Sequence, residues 1–149
     1  MSKQYIGSNH TCNFLQNKKR NRYIKRAVAF LETIKDQFDS IAFSGMSGAL
    51  IAPIIAEALG KELILVRKAG DKRHSIYIVE GYLNTNKYII VDDFIDTGAT
   101  VRRIRKQIEG TSWKHGTSWK HPECIGFIAV QSRKARLEDV SGFFKKKDK

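Results

Sequence analysis

The stretch of sequence that decides the fold reads as an apolar strand, two acids, a turn of small residues and the start of a helix: Tyr88-Ile89-Ile90-Val91-Asp92-Asp93-Phe94-Ile95-Asp96-Thr97-Gly98-Ala99-Thr100. The unbroken apolar run is typical of a strand that is buried on both faces. A helix predicted to begin at Ala99 would point its unpaired N–H groups and positive dipole end at any ligand in the turn. The stretch therefore predicts an anion site.

Two adjacent carboxylates, Asp92 and Asp93, stand beside this predicted anion site. They repel a phosphate, but they accept hydrogen bonds from vicinal hydroxyls and hold Mg²⁺ through water. A ligand with a phosphate at one end and a sugar diol at the other would suit both halves. Ribose 5-phosphate is such a ligand.

Composition indicates one globular domain. The chain has 149 residues, of which 42% are hydrophobic, enough for a proper core. No apolar run reaches membrane-spanning length, and the first residues lack the apolar centre of a signal peptide. Cys12 and Cys124 form neither a metal-ligand nor a disulfide pattern. We therefore expect a reduced, cytoplasmic setting and no membrane partner.

The formal charge of +12 is unusual for a chain of this length. Such a field attracts polyanions, whether phosphorylated metabolites or nucleic acid. The basic residues cluster in three places: Lys18, Lys19, Arg20, Arg22, Lys25 and Arg26; Arg102, Arg103, Arg105 and Lys106; and Lys145, Lys146 and Lys147.

Apolar periodicity and turn residues predict the remaining elements. We predict helices over residues 21–38, 49–59 and 99–109, and strands over residues 40–44, 62–66, 75–83 and 124–130. Asn21 is the expected N-cap of the first helix, and Pro53 is expected near the first turns of the second. A turn at residues 84–86 should join the 75–83 strand to the signature strand as an antiparallel hairpin partner. Alternating strands and helices otherwise indicate a parallel α/β sheet.

A six-residue unit, Gly-Thr-Ser-Trp-Lys-His, occurs twice in succession at residues 110–115 and 116–121. Two copies are too few and too short for a repeat architecture. We interpret them as a tandem duplication in a loop that tolerates insertion. The alternative is that Trp113 or Trp119 stacks on a base or on a partner.

Residues 88–100 resemble the phosphoribosyl pyrophosphate (PRPP) signature of the type I phosphoribosyltransferases at every position, and the resemblance extends over residues 41–130. It implies a three-layer, Rossmann-like α/β fold with a mainly parallel sheet, an antiparallel hairpin strand and a reduced hood. On this interpretation residues 1–20 are an N-terminal arm or partial hood, residues 21–136 are the core, and residues 137–149 are a basic tail or minimal hood.

The resemblance also implies a role for individual residues. The loop after the signature strand would bind the 5′-phosphate of PRPP through Asp96, Thr97, Gly98, Ala99 and Thr100. The loop after the first strand would bind pyrophosphate through Ser44, Gly45, Met46, Ser47 and Gly48. Basic residues after the second strand would neutralise the pyrophosphate: Arg67, Lys68 and Lys72. Asp92 and Asp93 would hold the ribose hydroxyls and, through water, the cofactor Mg²⁺.

The implied reaction is displacement of pyrophosphate at C1 of PRPP by a nucleobase, with a catalytic set of Asp92, Asp93, Asp96, Arg67 and Lys68. Asp96 favours a 6-oxopurine, because that branch of the family usually has Asp at this position. Tyr77 and Glu80 instead resemble the adenine branch, and orotate also stays open. Candidates for contact with the base are Gln131, Arg133 and Lys134.

A second hypothesis is a non-catalytic or regulatory member of the same fold. Such a protein would bind PRPP, a nucleotide or nucleic acid, and the basic surface and the short hood favour it. Type I enzymes are commonly oligomers, so the resemblance also implies a homodimer.

Overall fold

The computed structural model describes residues 5–68, 70, 77–94, 97–111, 113–115, 118–132 and 137–138. Its helices are α1 (Asn9–Leu15), α2 (Asn17–Glu32), α3 (Gly45–Leu59) and α4 (Ala99–Glu109), with a 3₁₀ turn at Lys35–Gln37. Its strands are β1 (Ser40–Phe43), β2 (Glu62–Val66), β3 (Val79–Gly81), β4 (Lys87–Asp92), β5 (Lys114–His115), β6 (Ser118–Trp119) and β7 (Glu123–Ala129).

The main sheet has the strand order β3-β2-β1-β4-β7. Strands β2, β1, β4 and β7 run parallel, and β3 pairs antiparallel with β2. Side chains of β4 alternate between two cores: Ile89 and Val91 pack with α2 and α3, while Tyr88 and Ile90 pack with α4. Helices thus cover both faces of the sheet, and the predicted three-layer α/β fold is confirmed.

The hairpin prediction was wrong in its partner strand. β3 pairs with β2, with Leu65 opposite Glu80, rather than with the signature strand β4 that follows it. Both β2 and β1 lie between β3 and β4 in the sheet, so the chain after β3 crosses the ends of these two strands to reach β4. The short turn at residues 84–86 suggested a hairpin because turn chemistry alone does not reveal which strands pair.

Helix α2 begins and ends earlier than predicted. Its N-cap is Gln16 instead of Asn21, and it ends at Glu32 instead of continuing to Phe38. The preceding residues form α1, whose Phe14 is fully buried in the core with Leu31. Part of the segment predicted as an arm is therefore packed into the domain.

Helix α3 begins at Gly45, so residues 45–48 are its first turn rather than part of the loop that was predicted to precede a helix over residues 49–59. Pro53 accordingly lies in the helix interior, where its ring nitrogen has no proton to donate to the carbonyl one turn earlier. Burial of the apolar face of α3 offsets the loss of this hydrogen bond, because Ile51, Ile55 and Leu59 pack in the core.

Residues 137–138 return to the sheet at a bulge in β7. Glu138 forms an antiparallel bridge with Phe127, and the register between β4 and β7 shifts next to Gly126. Gly126 has a φ of 154°, and a Cβ there would lie 2.6 Å from Leu137 Cγ. Only glycine lets the returning chain pack this closely.

The two copies of the duplicated unit contribute β5 and β6, which form a two-stranded antiparallel sheet with Lys114 opposite Trp119. Trp113 is 3% exposed and packs in the α4-side core. Its Nε1 donates a hydrogen bond to the Ile108 carbonyl at 3.0 Å. The stacking hypothesis is therefore wrong for Trp113, which is a core residue.

None of the helices within the described residues combines the length and the apolar character that a membrane-spanning segment needs.

Candidate active site

The sheet topology places a crevice at the carboxyl ends of β1 and β4. The crossover from β1 through α3 leads to β2 on one side, and the crossover from β4 through α4 leads to β7 on the other. The neighbouring strands β1 and β4 therefore lie where the winding direction reverses. Ligands of open α/β sheets bind at such switch points.

The turn after β4 forms a pocket in this crevice, lined by Asp92, Phe94, Thr97, Gly98, Ala99, Thr100 and Val101. Gly98 is the N-cap of α4 and adopts a left-handed φ of 77°, which a side chain would strain. Thr97 Oγ1 accepts a hydrogen bond from Ala99 N at 3.3 Å, whereas Gly98 itself has no side chain to cap the helix. The N–H groups of the first turn beyond Ala99 are the ones that an anion in the pocket could bond. Asp96 and Ile95 lie outside the described residues.

Two short hydrogen bonds fix the paired carboxylates. Asp93 N donates to Asp92 Oδ1 at 2.9 Å, and Phe94 N donates to Asp93 Oδ1 at 2.8 Å. The end of β7 secures the same backbone, because Val130 N and Gln131 N donate to the Asp92 and Asp93 carbonyls, each at 2.9 Å. Asp92 is thus held in the lining of the pocket, with Asp93 next to it in the chain.

Asp92 is only 8% exposed. Burial, followed by the neighbouring Asp93 carboxylate, raises the pKa of Asp92 from 3.8 to about 7. The nearby Arg103 guanidinium opposes this effect in part. A buried carboxyl with a pKa near neutrality is a frequent feature of functional sites.

The raised pKa of Asp92 predicts a pH-dependent effect on stability. The folded state binds this proton more tightly than the unfolded state, so the resulting stabilisation is complete below about pH 4 and is lost as the pH rises through about 7. At pH 8 the ionised group opposes folding. We expect Asp92→Asn, which keeps the hydrogen-bond acceptor, to raise the free energy of unfolding by about 1–3 kcal/mol at pH 8 and by little at pH 4.

Urea unfolding at pH 4, 6 and 8 measures this effect, and Asp36→Asn at an exposed carboxylate is the matched control. A gain that is equal at all three pH values, or equal in the control, would contradict the assignment of the raised pKa to Asp92.

The predicted pyrophosphate loop lies across the crevice from the acids. Ser44 is the N-cap of α3 and is buried, and Gly45 has a left-handed φ of 76° with open space where a Cβ would stand. Gly48 packs against Phe43, whose Cβ would lie 3.1 Å from a Cβ at residue 48. The amides of this first helical turn face the same crevice end as those of α4, so two helix N-termini converge there.

Arg67 and Lys68 follow β2 at the same edge of the sheet, as predicted. Arg67 is already paired: its Nε and Nη2 each lie 3.2 Å from Glu80 Oε1 on β3. The guanidinium is thereby held in place, and the carboxylate offsets part of its charge. Lys68 is exposed, and Lys72 lies outside the described residues.

Arg103 of α4 is a site residue that sequence reasoning missed. Its Nη2 donates to Ser44 Oγ at 2.8 Å, and its Nη1 donates to the Arg67 carbonyl at 3.3 Å. One guanidinium therefore joins the ends of β1 and β2 to the helix that follows β4. The sequence showed Arg103 only as one of several cations on α4, with nothing to separate it from Arg102 or Arg105.

The residues predicted to contact the base are placed only in part. Gln131 lies directly after β7, and its buried Nε2 has no hydrogen-bond partner among the described residues. Its backbone N–H donates to the Asp93 carbonyl at 2.9 Å, so the main chain of residue 131 lies beside that of the acids. Arg133 and Lys134 lie outside the described residues.

Comparison with known proteins agrees with this geometry. No family model matches the chain. The adenine phosphoribosyltransferase of Bifidobacterium animalis subsp. lactis (strain AD011) is 29% identical over 102 residues, which is 58% of this chain and 53% of that protein. The alignment thus spans about half the length of this curated relative.

Solved structures show the same fold. The adenine phosphoribosyltransferase of Saccharomyces cerevisiae, solved with adenine bound, matches with a TM-score of 0.56 and 24% identity over 76% of this chain and 68% of that one. The orotate phosphoribosyltransferase of Aeropyrum pernix matches with a TM-score of 0.60 and 12% identity over 84% of this chain and 64% of that one. The chain therefore has the type I phosphoribosyltransferase fold. With the sequence similarity added, the predicted resemblance to that family is confirmed.

Proposed function

We propose that this protein is a phosphoribosyltransferase that transfers ribose 5-phosphate from PRPP to a nucleobase and releases pyrophosphate. One observation carries the proposal: Asp92, the residues of the 97–100 turn and the N-terminus of α4 line one pocket at the switch point between β1 and β4. The pocket thus combines acceptors for a sugar diol with donors for a phosphate.

The division of labour follows from this arrangement. The amides of the α4 N-terminus and Thr97 would bind the 5′-phosphate, and Asp92 and Asp93 would accept hydrogen bonds from the ribose hydroxyls. As the bond from C1 to the pyrophosphate oxygen breaks, negative charge grows on the leaving group. The α3 amides and Lys68 would stabilise that charge. A ring nitrogen of the base forms the new bond to C1, and the proton on that nitrogen is released to water.

The donor set also fits Mg²⁺. Two adjacent carboxylates supply the hard oxygen ligands that this ion prefers, and among the described residues no group of three possible protein ligands occurs. Mg²⁺ commonly keeps several waters and binds one or two carboxylates together with substrate phosphates. We propose that Asp92 and Asp93 hold the ion through water, where it would supply positive charge beside the pyrophosphate.

Adenine is the acceptor base that we propose. Asp96, on which the 6-oxopurine prediction depends, lies outside the described residues. The curated relative is an adenine phosphoribosyltransferase, and Glu80, one of the two residues that resemble the adenine branch, is fixed beside the site by Arg67. Orotate is the second candidate, because an orotate phosphoribosyltransferase shares the fold.

Pyrophosphate release from PRPP with Mg²⁺, measured against adenine, orotate, hypoxanthine and guanine separately, tests the proposal. We expect release that depends on adenine. Release only with hypoxanthine or guanine would restore the 6-oxopurine prediction. PRPP binding by calorimetry without release for any base would favour the non-catalytic hypothesis instead.

Arg103 provides a second test of the same site. It bonds Ser44 and the Arg67 carbonyl at the pyrophosphate side of the crevice. We expect Arg103→Met to lower kcat/KM for PRPP by about 10- to 100-fold, since a hydrogen bond to a charged group contributes about 1.5–3 kcal/mol. The effect should fall mainly on the KM for PRPP, with the KM for the base changed little.

Arg105→Met is the matched control, because the Arg105 guanidinium pairs with Glu109 on its own helix. Arg103→Lys keeps the charge without the planar fork and should recover only part of the loss. Equal losses in Arg103→Met and Arg105→Met would show that the effect reports helix stability or net charge instead of this contact.

A further inference from the structure

The N-terminal helices carry a surface of one charge sign. Residues 1–31 contain seven lysines and arginines and no aspartate or glutamate, and the first acidic residue is Glu32. The described part of this segment forms α1 and α2. The proposed transfer reaction uses none of these cations. The candidate active site therefore does not account for the cluster of positive charge in residues 1–31.

Three of the cations form a stripe along the solvent side of α2. Lys18, Arg22 and Lys25 are exposed, while Ile24, Ala27 and Leu31 on the opposite side are buried. The stripe rises about 10 Å along the helix axis, at 1.5 Å per residue. Within the described residues none of the three forms an ion pair, and the guanidinium of Arg22 lies 5.4 Å from the centre of the Tyr23 ring.

The neighbouring cations donate hydrogen bonds within the protein and are not part of this stripe. Arg20 donates to the Phe14 carbonyl at 3.1 Å, and Arg26 donates to the Val130 carbonyl at 3.2 Å. Lys19 contacts Asn13 at 3.4 Å. The structure thus separates cations that are used within the fold from Lys18, Arg22 and Lys25, which point their charge at solvent.

We infer that this stripe, Lys18, Arg22 and Lys25, binds the phosphate backbone of duplex DNA. Asn21 is exposed beside the three cations, and an asparagine amide also bonds phosphate oxygens. An anionic membrane fits less well, because the stripe lacks the large apolar side chains that insert into lipid. Single-stranded nucleic acid fits less well because Tyr23 is partly buried against Phe14 and offers no open stacking platform.

The binding that follows from these contacts is independent of sequence and weak. Three neutralised phosphates give a slope of log K against log salt of about −2.7 on duplex DNA. Fluorescence anisotropy of a labelled duplex of about 20 base pairs, titrated from about 50 to about 200 mM salt, measures the slope on the full chain. We expect Lys18→Gln/Arg22→Gln/Lys25→Gln to weaken binding at least tenfold at the lowest salt. The same triple variant should make the slope of log K against log salt shallower by about 2.7.

A control variant with the same loss of charge makes the test specific. Lys87, Lys106 and Lys120 are exposed and scattered over β4, α4 and the segment before β7, and their triple change to Gln should leave most of the affinity and the slope in place. Equal losses in both triple variants would overturn the inference in favour of net charge alone. Absence of duplex binding at low salt, or tighter binding to phosphatidylserine vesicles than to the duplex, would also overturn it.

This test is separate from the proposed transfer activity. The substituted lysines and arginine lie outside the crevice, so pyrophosphate release should be the same in both triple variants and in the unaltered protein. A loss of DNA binding with unchanged release supports the stripe, whereas a loss of both would overturn the inference, because the substitutions would then act through the fold and not through the stripe.

Discussion

Replacing both signature acids, Asp92→Asn with Asp93→Asn, is expected to lower turnover of PRPP by at least about 10³-fold while the protein stays folded. Both carboxylates lie at the rim of the crevice, and removal of one group that stabilises the reacting centre commonly costs about 10²–10³-fold. The hydrogen bonds from Asp93 N and Phe94 N to the two side chains have acceptors in asparagine too. Steady-state pyrophosphate release measures the loss, and circular dichroism confirms the fold.

The control for this experiment removes the same charge elsewhere. Asp36 and Glu57 are exposed, so Asp36→Asn with Glu57→Gln should leave turnover within about twofold, as expected for surface changes. Activity that persists in the Asp92 and Asp93 double variant would show that the site assignment is wrong. Activity lost in both double variants would show that net charge, instead of these two acids, is limiting.

Trp113→Ala is expected to lower the free energy of unfolding by about 3–5 kcal/mol, the usual cost of truncating a buried aromatic residue. Trp113 is 3% exposed in the core beside α4, and its Nε1 donates to the Ile108 carbonyl. The substitution leaves a cavity and removes the indole hydrogen bond to the Ile108 carbonyl, which still accepts from Thr111 N at 3.2 Å. Denaturant unfolding followed by circular dichroism measures the change.

Two further variants identify the cause of this loss. Trp113→Phe keeps an aromatic ring but removes the donor, so it should cost less than Trp113→Ala. Tyr82→Ala removes an aromatic side chain that is 44% exposed and should cost little. If Trp113→Ala is no more destabilising than Tyr82→Ala, the duplicated unit does not contribute to the core.

The duplicated unit shows that a repeated sequence inside a loop can still supply a core residue. Both copies have the same six residues, so the local pattern gives both tryptophans the same preference. Trp113 of the first copy lies within reach of the end of α4 and fills the core there. Trp113 follows the end of α4 within a few residues, and this position beside the helix accounts for its burial.

The β4 strand, its two acids and the start of α4 were all predictable from the sequence, because each depends on a local pattern. An unbroken apolar run, small turn residues and a helix that starts at Ala99 lie within a few residues of one another. The burial of β4 on both faces also follows from that run, since it leaves no polar side for solvent.

Contacts between distant segments were decided only by the tertiary structure. Pairing of β3 with β2, burial of Phe14 and the bond from Arg103 to Ser44 join residues that are far apart in the chain. No local pattern separates Arg103 from Arg102 or Arg105, because all three are cations on one amphipathic helix. Which of them reaches the crevice depends on where α4 lies against β1 and β2.

The sequence by itself therefore determined the α/β class, the turn of small residues before α4 and the paired carboxylates, since hydrophobic periodicity and turn chemistry act over short stretches. Only the tertiary structure decided that the predicted pyrophosphate loop is the first turn of α3, that Arg67 is held by Glu80 and that Arg103 joins the strand ends. These features come from packing between elements, where strand order and helix placement set the distances between side chains.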